Sequence, residues 1–586
     1  MDSRTRAICV LLFLACGFTV ISFNLIQIQL VDSQKYTRMA MENHDMKVSI
    51  PPKRGAIYDA DNNVLAESQR VYDVHLDGAL ESDGAHLPEI AAALGEPVSK
   101  IAAVFNPKDR DIPLATGLTV DDPALARVND LKQHDPKLRS LMVITRDERT
   151  YPNTVLAAHV LGFIDDATGH GMAGMEKDLD KLLVGTPGER WVERNAKREE
   201  IPGYQTSERP AVDGDNVTLT IRMAIQHVVE DELDGIVDSY HPNAAYIIVM
   251  DPHTGEILGM GSRPTYDPND RKTFQPDAVR NRCITDMVEP GSIFKIITLS
   301  GALNEGLVNL ATPINCENGE WYYAGRELKD DEPNATLPVI EVMARSSNIG
   351  FAKLGLNYLG PQKLYKYATA FGIGQRTGVF GGQSETAGLL RPVSKWSALS
   401  VTRIPMGQEV AASPMQMATA MSVIANGGKM VEPHLAKQVA DADGNVIETY
   451  SPHEMRQVIS RRAAEEVTKA LQQVMIDGTG KDIKVPGYDG EVAGKTGTAQ
   501  KFVNGAYSHT QFVSSFIGFM PAEDPAFVAL VMVDDPKTKK YYGAEVSAPV
   551  FANLATQVAQ IMNLTPSQPV PAPPTLSSNV NTRTTP

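Results

Sequence analysis

Cysteine is scarce in this chain, with four in 586 residues. Two of them, Cys9 and Cys16, fall inside an apolar run, where a small thiol packs as a hydrophobe. Only Cys283 and Cys316 are left over, which is no disulfide framework. One bridge between them would suit an oxidising compartment, but two residues do not establish it. Neither C-x-x-C nor H-E-x-x-H occurs, and the 12 histidines are scattered, so no metal site and no other cofactor is expected. No basic stripe offsets the formal charge of −16, which argues against a nucleic-acid partner. Long hydrophobic runs are equally sparse, with a single exception near the N-terminus.

That exception is Ala7 to Phe23, extended by Leu25, Ile26 and Ile28. It approaches the about 20 residues that a helix needs to span a bilayer. A cleaved export signal is the competing reading, but it would have a shorter apolar core and a small-x-small site close behind it. The expectation is therefore an uncleaved anchor over 7–28, a cytoplasmic tail over 1–6 and an exported body. Charge does not settle the orientation, because Lys35 and Arg38 after the run match Arg4 and Arg6 before it.

So long a chain implies more than one domain. Residues 29–212 alternate short strand-like and helical pieces without any dense catalytic grouping. Within them IPPKRGAIYDADNNVLAES reads as two strands around an Asp61-Asn62-Asn63 turn. This part reads as a spacer or docking module. Near Asp213 the character changes. VTLTIRMAIQHVVEDELDGIV is a strand leading into an amphipathic helix, and AAYIIVMDPHTGEILGMGS is a hairpin. Helical patterns dominate from Ile293 to about Gln473, and strands return with GEVAGKTGTAQKF, QFVSSFIGFM and FVALVMVD. Strands at both ends with helices between predict one α+β domain over 213–563, its sheet assembled from distant parts of the chain. Residues 564–586, rich in Pro, Ser, Thr and Asn, have the composition of a disordered tail.

In EPGSIFKIITLSGAL, Glu289 to Leu303, apolar residues cover nearly the whole helix circumference, so Lys295 is expected to lose its hydration. Ser292, three residues earlier, lies on the same face. Two further blocks follow in order, Ser346-Ser347-Asn348 and Lys495-Thr496-Gly497. Each is weak alone, since Ser-Ser-Asn recurs at Ser577 to Asn579. Together they form the S-x-x-K, S-x-N and K-T-G set of penicillin-binding proteins and their β-lactamase relatives, with Ser347 where that set often carries Asp. VAGKT is a decoy for a phosphate-binding loop, because the glycine that motif needs at 489 is Asp489.

The chain resembles a class B penicillin-binding protein, most closely the division-specific, FtsI-like D,D-transpeptidases. Besides the three blocks, the likeness rests on the anchor, PKRGAIYDADNNVLA at 52–66, RTYPNTVLAAHVLGFI at 149–164, GMEKDLDKLLVGTPG at 174–188 and MGQEVAASPMQMA at 406–418. Ile293 stands where the family often has Thr. The resemblance implies a membrane anchor, an elongated N-terminal pedestal (dimerisation) domain over 29–212 and a penicillin-binding transpeptidase domain. That last domain would have an antiparallel sheet flanked by helices and an all-helical subdomain.

It also implies the roles. Ser292 would be the nucleophile and Lys295 its base, made neutral by desolvation, which lowers a lysine pKa by up to about 3 to 5 units. Lys495 would push Lys295 the same way. Ser346 would relay a proton to the leaving amine, and Asn348 would hold Lys295 and the substrate amide. A helix cap before IGFAKLGLNYLG is the competing reading of Ser346 and Asn348, and cap and catalyst can coexist. Thr496, Gly497 and Thr498 would bind the substrate along a strand, with Gly494 and Gly497 letting an extended peptide approach. The N–H groups of Ser292 and Thr498 would form the oxyanion hole. Peptidoglycan stem peptides and β-lactams are the implied ligands. An FtsW-like SEDS glycosyltransferase and other divisome membrane proteins are the implied partners. An elongation-specific transpeptidase, a D,D-carboxypeptidase or β-lactamase, and a non-catalytic β-lactam-binding scaffold or sensor are the competing readings.

Overall fold

The structure, a computed structural model, describes residues 2–35, 45–81, 83–134, 138, 140–194, 200–381, 384–503 and 505–568. Most of the expected disordered tail, 569–586, lies outside them, as does Arg38. The described chain forms two compact units, residues 1–54 with 184–214, and residues 55–183 with 215–586.

In the first unit, an α-helix over Ser3–Ile26 continues as a wider π-helical stretch over Gln27–Val31. The apolar segment Ala7–Val31 buries nothing against protein, and Phe13 and Phe18 are 80% and 70% exposed. A helix of 25 residues is about 37 Å long, enough for the ~30 Å hydrocarbon layer. This unit also holds a three-stranded antiparallel sheet of Asp45–Ile50, Gly188–Arg194 and Glu200–Arg209.

In the second unit, the expected hairpin forms between Ile57–Tyr58 and Val64–Leu76. Its turn is set by Asp59, whose carboxylate accepts from the N–H groups of Asp61 and Asn63 at 2.9 and 2.7 Å, while Asn62 takes φ 65°. Asn216–Leu219 pairs parallel with Ile57–Tyr58 and antiparallel with Ala436–Ala440. Strands from both sides of residue 213 thus share one ladder, and residues 55–183 pack with the catalytic-block region rather than apart from it.

The central sheet has five antiparallel strands: β1 (Ala244–Met250), β2 (Ile257–Arg263), β3 (Ala493–Val503), β4 (Ala506–Met520) and β5 (Phe527–Asp534), in the order β2-β1-β5-β4-β3. Helices α1 (Met223–Tyr240), α2 (Lys295–Asn304), α3 (Pro414–Ala425), α4 (Arg461–Asp477) and α5 (Ser547–Ile561) accompany it. Strand side chains alternate between faces. Ala245, Ile247, Val249 and Val531 join α1 and α5 in one core. Tyr246, Ile248, Leu530 and Met532 join α2 and α3 in the other. Both faces are covered, so the strands read as continuous apolar runs instead of half-polar ones. Gly259 belongs to β2 because a Cβ there would stand 3.1 Å from Ile225 Cγ2 of α1. The expected α+β architecture, with helices on both faces and a mainly helical stretch between β2 and β3, is what the chain adopts. Among the described residues β3 lies at an edge, paired with a strand on one side only.

Candidate active site

Ser292 lies in the 3₁₀ turn Gly291–Phe294 that leads into α2. Gly291 has φ +55°, and a Cβ there would come 2.9 Å from Ala499 Cβ, so the turn is pressed against β3. Lys295 opens α2, and every residue from Lys295 to Leu303 is buried, as the all-round apolar pattern requires. Lys295 itself is 0% exposed.

Its ammonium finds partners in the second block. Lys295 Nζ donates to Ser346 O at 2.6 Å, Ser346 Oγ at 3.1 Å and Asn348 Oδ1 at 2.9 Å. Ser292 Oγ is not among these acceptors. The capping alternative is resolved by the residue between them. Ser347 is the N-cap of the helix Asn348–Lys353 and accepts from Gly350 N at 2.9 Å, which leaves Ser346 and Asn348 for the amine.

On β3, Lys495 is 0% exposed and donates to Thr496 O at 2.9 Å. Thr496 Oγ1 lies 2.6 Å from Thr479 Oγ1, and Thr498 Oγ1 accepts from Gly543 N at 2.9 Å. A Cβ on Gly497 would fall 2.3 Å from Ser515 Oγ and 3.0 Å from Ile293 Cγ2. One on Gly494 would fall 2.5 Å from Phe516 Cζ. Both glycines therefore have a packing reason of their own, the close approach of β4 and of the Ser292 turn, beside the substrate reason read from sequence.

Ser292, Ser346, Asn348, Thr496 and Thr498 line one groove of about 950 Å³, with Lys295 and Lys495 buried behind it. Phe512, Tyr541 and Tyr542 form one of its walls as a ring stack, with centroids 4.2 and 4.5 Å apart. At Glu289, also in the lining, burial pushes the carboxyl upward. Thr479 and the aromatic wall carry no signal in the sequence, since a Thr in IDGTGK and Tyr-Tyr in KKYYG resemble ordinary loop residues.

Burial lowers Lys295 to a pKa of about 7, against the upward pull of Asp330 and Asp331. Lys495 is held well below the ordinary lysine value by burial first and by repulsion from Lys295 second. Repulsion between the two amines disfavours the state in which both carry a proton. Asp330 and Asp331 favour the protonated form of Lys295, and Asp331 that of Lys495. Cys283 and Cys316 are both buried free thiols, so the bridge left open by the sequence does not form. Cys283 instead donates to Gly261 O at 3.3 Å.

Residues 245–556 match the family model of the penicillin binding protein transpeptidase domain. Residues 49–219 match that of the penicillin-binding protein dimerisation domain. The chain is 33% identical over 564 residues to stage V sporulation protein D of Bacillus subtilis, covering 94% of this chain and 85% of that one. It is 29% identical to the probable peptidoglycan D,D-transpeptidase PenA of Neisseria gonorrhoeae, over 89% of this chain and 87% of the other. Penicillin binding protein 3 from Mycobacterium tuberculosis, solved in complex with ampicillin, superposes with a TM-score of 0.69 at 28% identity. That match covers 90% of this chain and 99% of that one.

Proposed function

Because the chain belongs to the class B penicillin-binding proteins, we propose that it is a membrane-anchored serine D,D-transpeptidase that cross-links peptidoglycan stem peptides and is acylated by β-lactams. The observation that carries this reading is the fully buried Lys295 amine, tied to Ser346 Oγ and Asn348 Oδ1 behind a groove that Ser292 lines. An amine with a pKa of about 7 is neutral often enough near pH 7 to accept the Ser292 proton as Oγ attacks the penultimate D-Ala carbonyl. The oxyanion is received by the N–H groups of Ser292 and Thr498; losing one such donor typically costs about 2.7 to 4 kcal/mol.

The proton then has a short route out, since Lys295 Nζ and Ser346 Oγ are 3.1 Å apart. Ser346 passes it to the leaving D-Ala nitrogen as the C–N bond breaks. An amine of a neighbouring stem peptide then attacks the acyl-enzyme and releases Ser292. Thr496 and Thr498 hold the terminal carboxylate at the free edge of β3. A β-lactam follows the first half of this course, and its tethered leaving group stays in the way of the amine.

The FtsI-like sequence blocks support a septal role, with the catalytic unit outside the cytoplasmic membrane. The exposed apolar helix supplies the surface for an FtsW-like partner and other divisome proteins. A fluorescent penicillin should label the full chain and fail to label Ser292→Ala. An intact wild-type chain that takes no label sinks the reading. Purified protein should form cross-linked dimer from stem pentapeptides; free tetrapeptide as sole product would make it a carboxypeptidase. A fluorescent fusion should gather at midcell, and sidewall localisation would exclude the septal assignment.

A further inference from the structure

The Ser346–Asn348 segment does the work of holding Lys295, yet its own backbone is unfavourable. Ser346 has φ +56°, a conformation that non-glycine residues seldom adopt and that persists only where surrounding contacts impose it. Part of that restraint is the end of the helix Val339–Ala344, where Ser346 N donates to Met343 O at 3.1 Å and Ser347 N to Val342 O at 3.0 Å; the rest comes from two consecutive residues outside all three sequence blocks. Lys329 O accepts from Asn348 Nδ2 at 3.2 Å. The Asp330 carboxylate takes Ser347 Oγ at 2.5 Å on one oxygen and Ile349 N at 2.9 Å on the other. The Ser347 hydroxyl gives its proton to Asp330 and accepts from Gly350 N.

We propose that Asp330 is a positioning residue of the transpeptidase site, clamping Ser347 and Ile349 so that Ser346 and Asn348 face the Lys295 amine. The proposal rests on the transpeptidase reading above. The clamp is bidentate and charge-assisted, the stronger kind of hydrogen bond. It grips the segment immediately after Ser346 and immediately after Asn348, the two residues whose oxygens hold the amine. Asp330 also acts through its charge. Four charged groups make up this set, Asp330, Asp331 and the two amines themselves, and both aspartates favour the protonated form of Lys295. Ser347, by contrast, contributes only the contact.

The test is the acylation rate of full-length wild type, Asp330→Asn and Ser347→Ala by a fluorescent penicillin across pH 5.5 to 9.5. Loss of a charged hydrogen bond of this kind should lower the high-pH plateau roughly tenfold to a hundredfold in both variants. Only Asp330→Asn removes a negative charge that raises Lys295, so only its acid limb should move to lower pH. A purely structural role would lower both plateaus and leave both limbs in place. Plateaus at the wild-type level in either folded variant, or an unmoved limb in Asp330→Asn, overturn the proposal. If Asp330→Asn does not fold, Ser347→Ala alone decides on its plateau. A wild-type chain that takes no label overturns the transpeptidase reading and this proposal with it, whereas labelled wild type with unaltered variants overturns this proposal only.

Discussion

If a desolvated lysine is the base, the rate of acylation must follow the neutral fraction of Lys295. At pH 7.4 a lysine with the ordinary value of 10.5 is neutral in roughly one molecule in a thousand. With a pKa of about 7 it is neutral in roughly seven of ten, a gain of about three orders of magnitude in available base. The same displacement is a cost to the fold of about 5 kcal/mol, and its sign sets a second readout. Between about pH 7 and pH 10.5 the unfolded chain binds the proton that the folded chain has released, so stability rises with pH across that window. Below pH 7 both states are protonated and the burial cost is felt in full. Lys295→Met removes that cost and should stabilise the protein at pH 6 by up to about 5 kcal/mol, less what Ser346 O and Asn348 Oδ1 lose with their donor. Acylation by a fluorescent penicillin should rise through a midpoint near pH 7 and level off above pH 8, and Lys295→Met should abolish it. In urea unfolding, the advantage of Lys295→Met over wild type should shrink as pH is raised from 6 to 9. A rate flat from pH 6 to 8, a midpoint near 10, or a Lys295→Met protein less stable than wild type at pH 6 would refute the reasoning.

Two more outcomes follow from packing. Arg149 Nε and Glu176 Oε1 are 2.7 Å apart, with side chains 2% and 0% exposed, so Arg149→Ala takes the counter-charge from a buried carboxylate and should cost about 3 to 5 kcal/mol, read as a lower denaturant midpoint. A midpoint within error of wild type would mean that the pair adds nothing. Gly497→Ala places a methyl 2.3 Å from Ser515 Oγ and should destabilise by about 1 to 3 kcal/mol while slowing acylation at least about tenfold, as β3 moves off the Ser292 turn. Ser515→Gly in the same chain should recover part of both effects; no recovery would assign the damage to the substrate side of the strand.

The sheet and its two cores were legible because the physics that builds them is periodic. A strand covered on both faces must be apolar at every position, and AAYIIVM and FVALVMVD are; an amphipathic helix must repeat near 3.6 residues, and the segment after Ile221 does. The quoted blocks outside the active site proved to be structural joints. Arg149 opens one and Glu176 sits in another, and the two make one buried ion pair. Ser413 and Gln416 within a third form a capping box at the start of α3, with Gln416 also donating to Gln375 O and Ala387 O. The lysine of the first block was legible for the same reason as the cores, since an all-round apolar helix leaves a charged residue nowhere to reach water.

What sequence did not disclose is everything that depends on two chain segments meeting away from a motif. Asp330 lies in a run of acidic and polar residues, LKDDEPN, that reads as solvated loop, and nothing in it says that one of two neighbouring aspartates turns inward to Ser347 while the other faces the groove. By sequence, Lys495 is only a second cation; in the fold, Asp330 and Asp331 both bear on Lys295 and Asp331 bears on Lys495. Burial lowers both amines first, and the acidic loop supplies the negative charge that opposes it. A transplant of the three blocks into a scaffold without that loop should therefore reproduce the hydroxyls and amines and still lack a Ser346–Asn348 segment held toward the base.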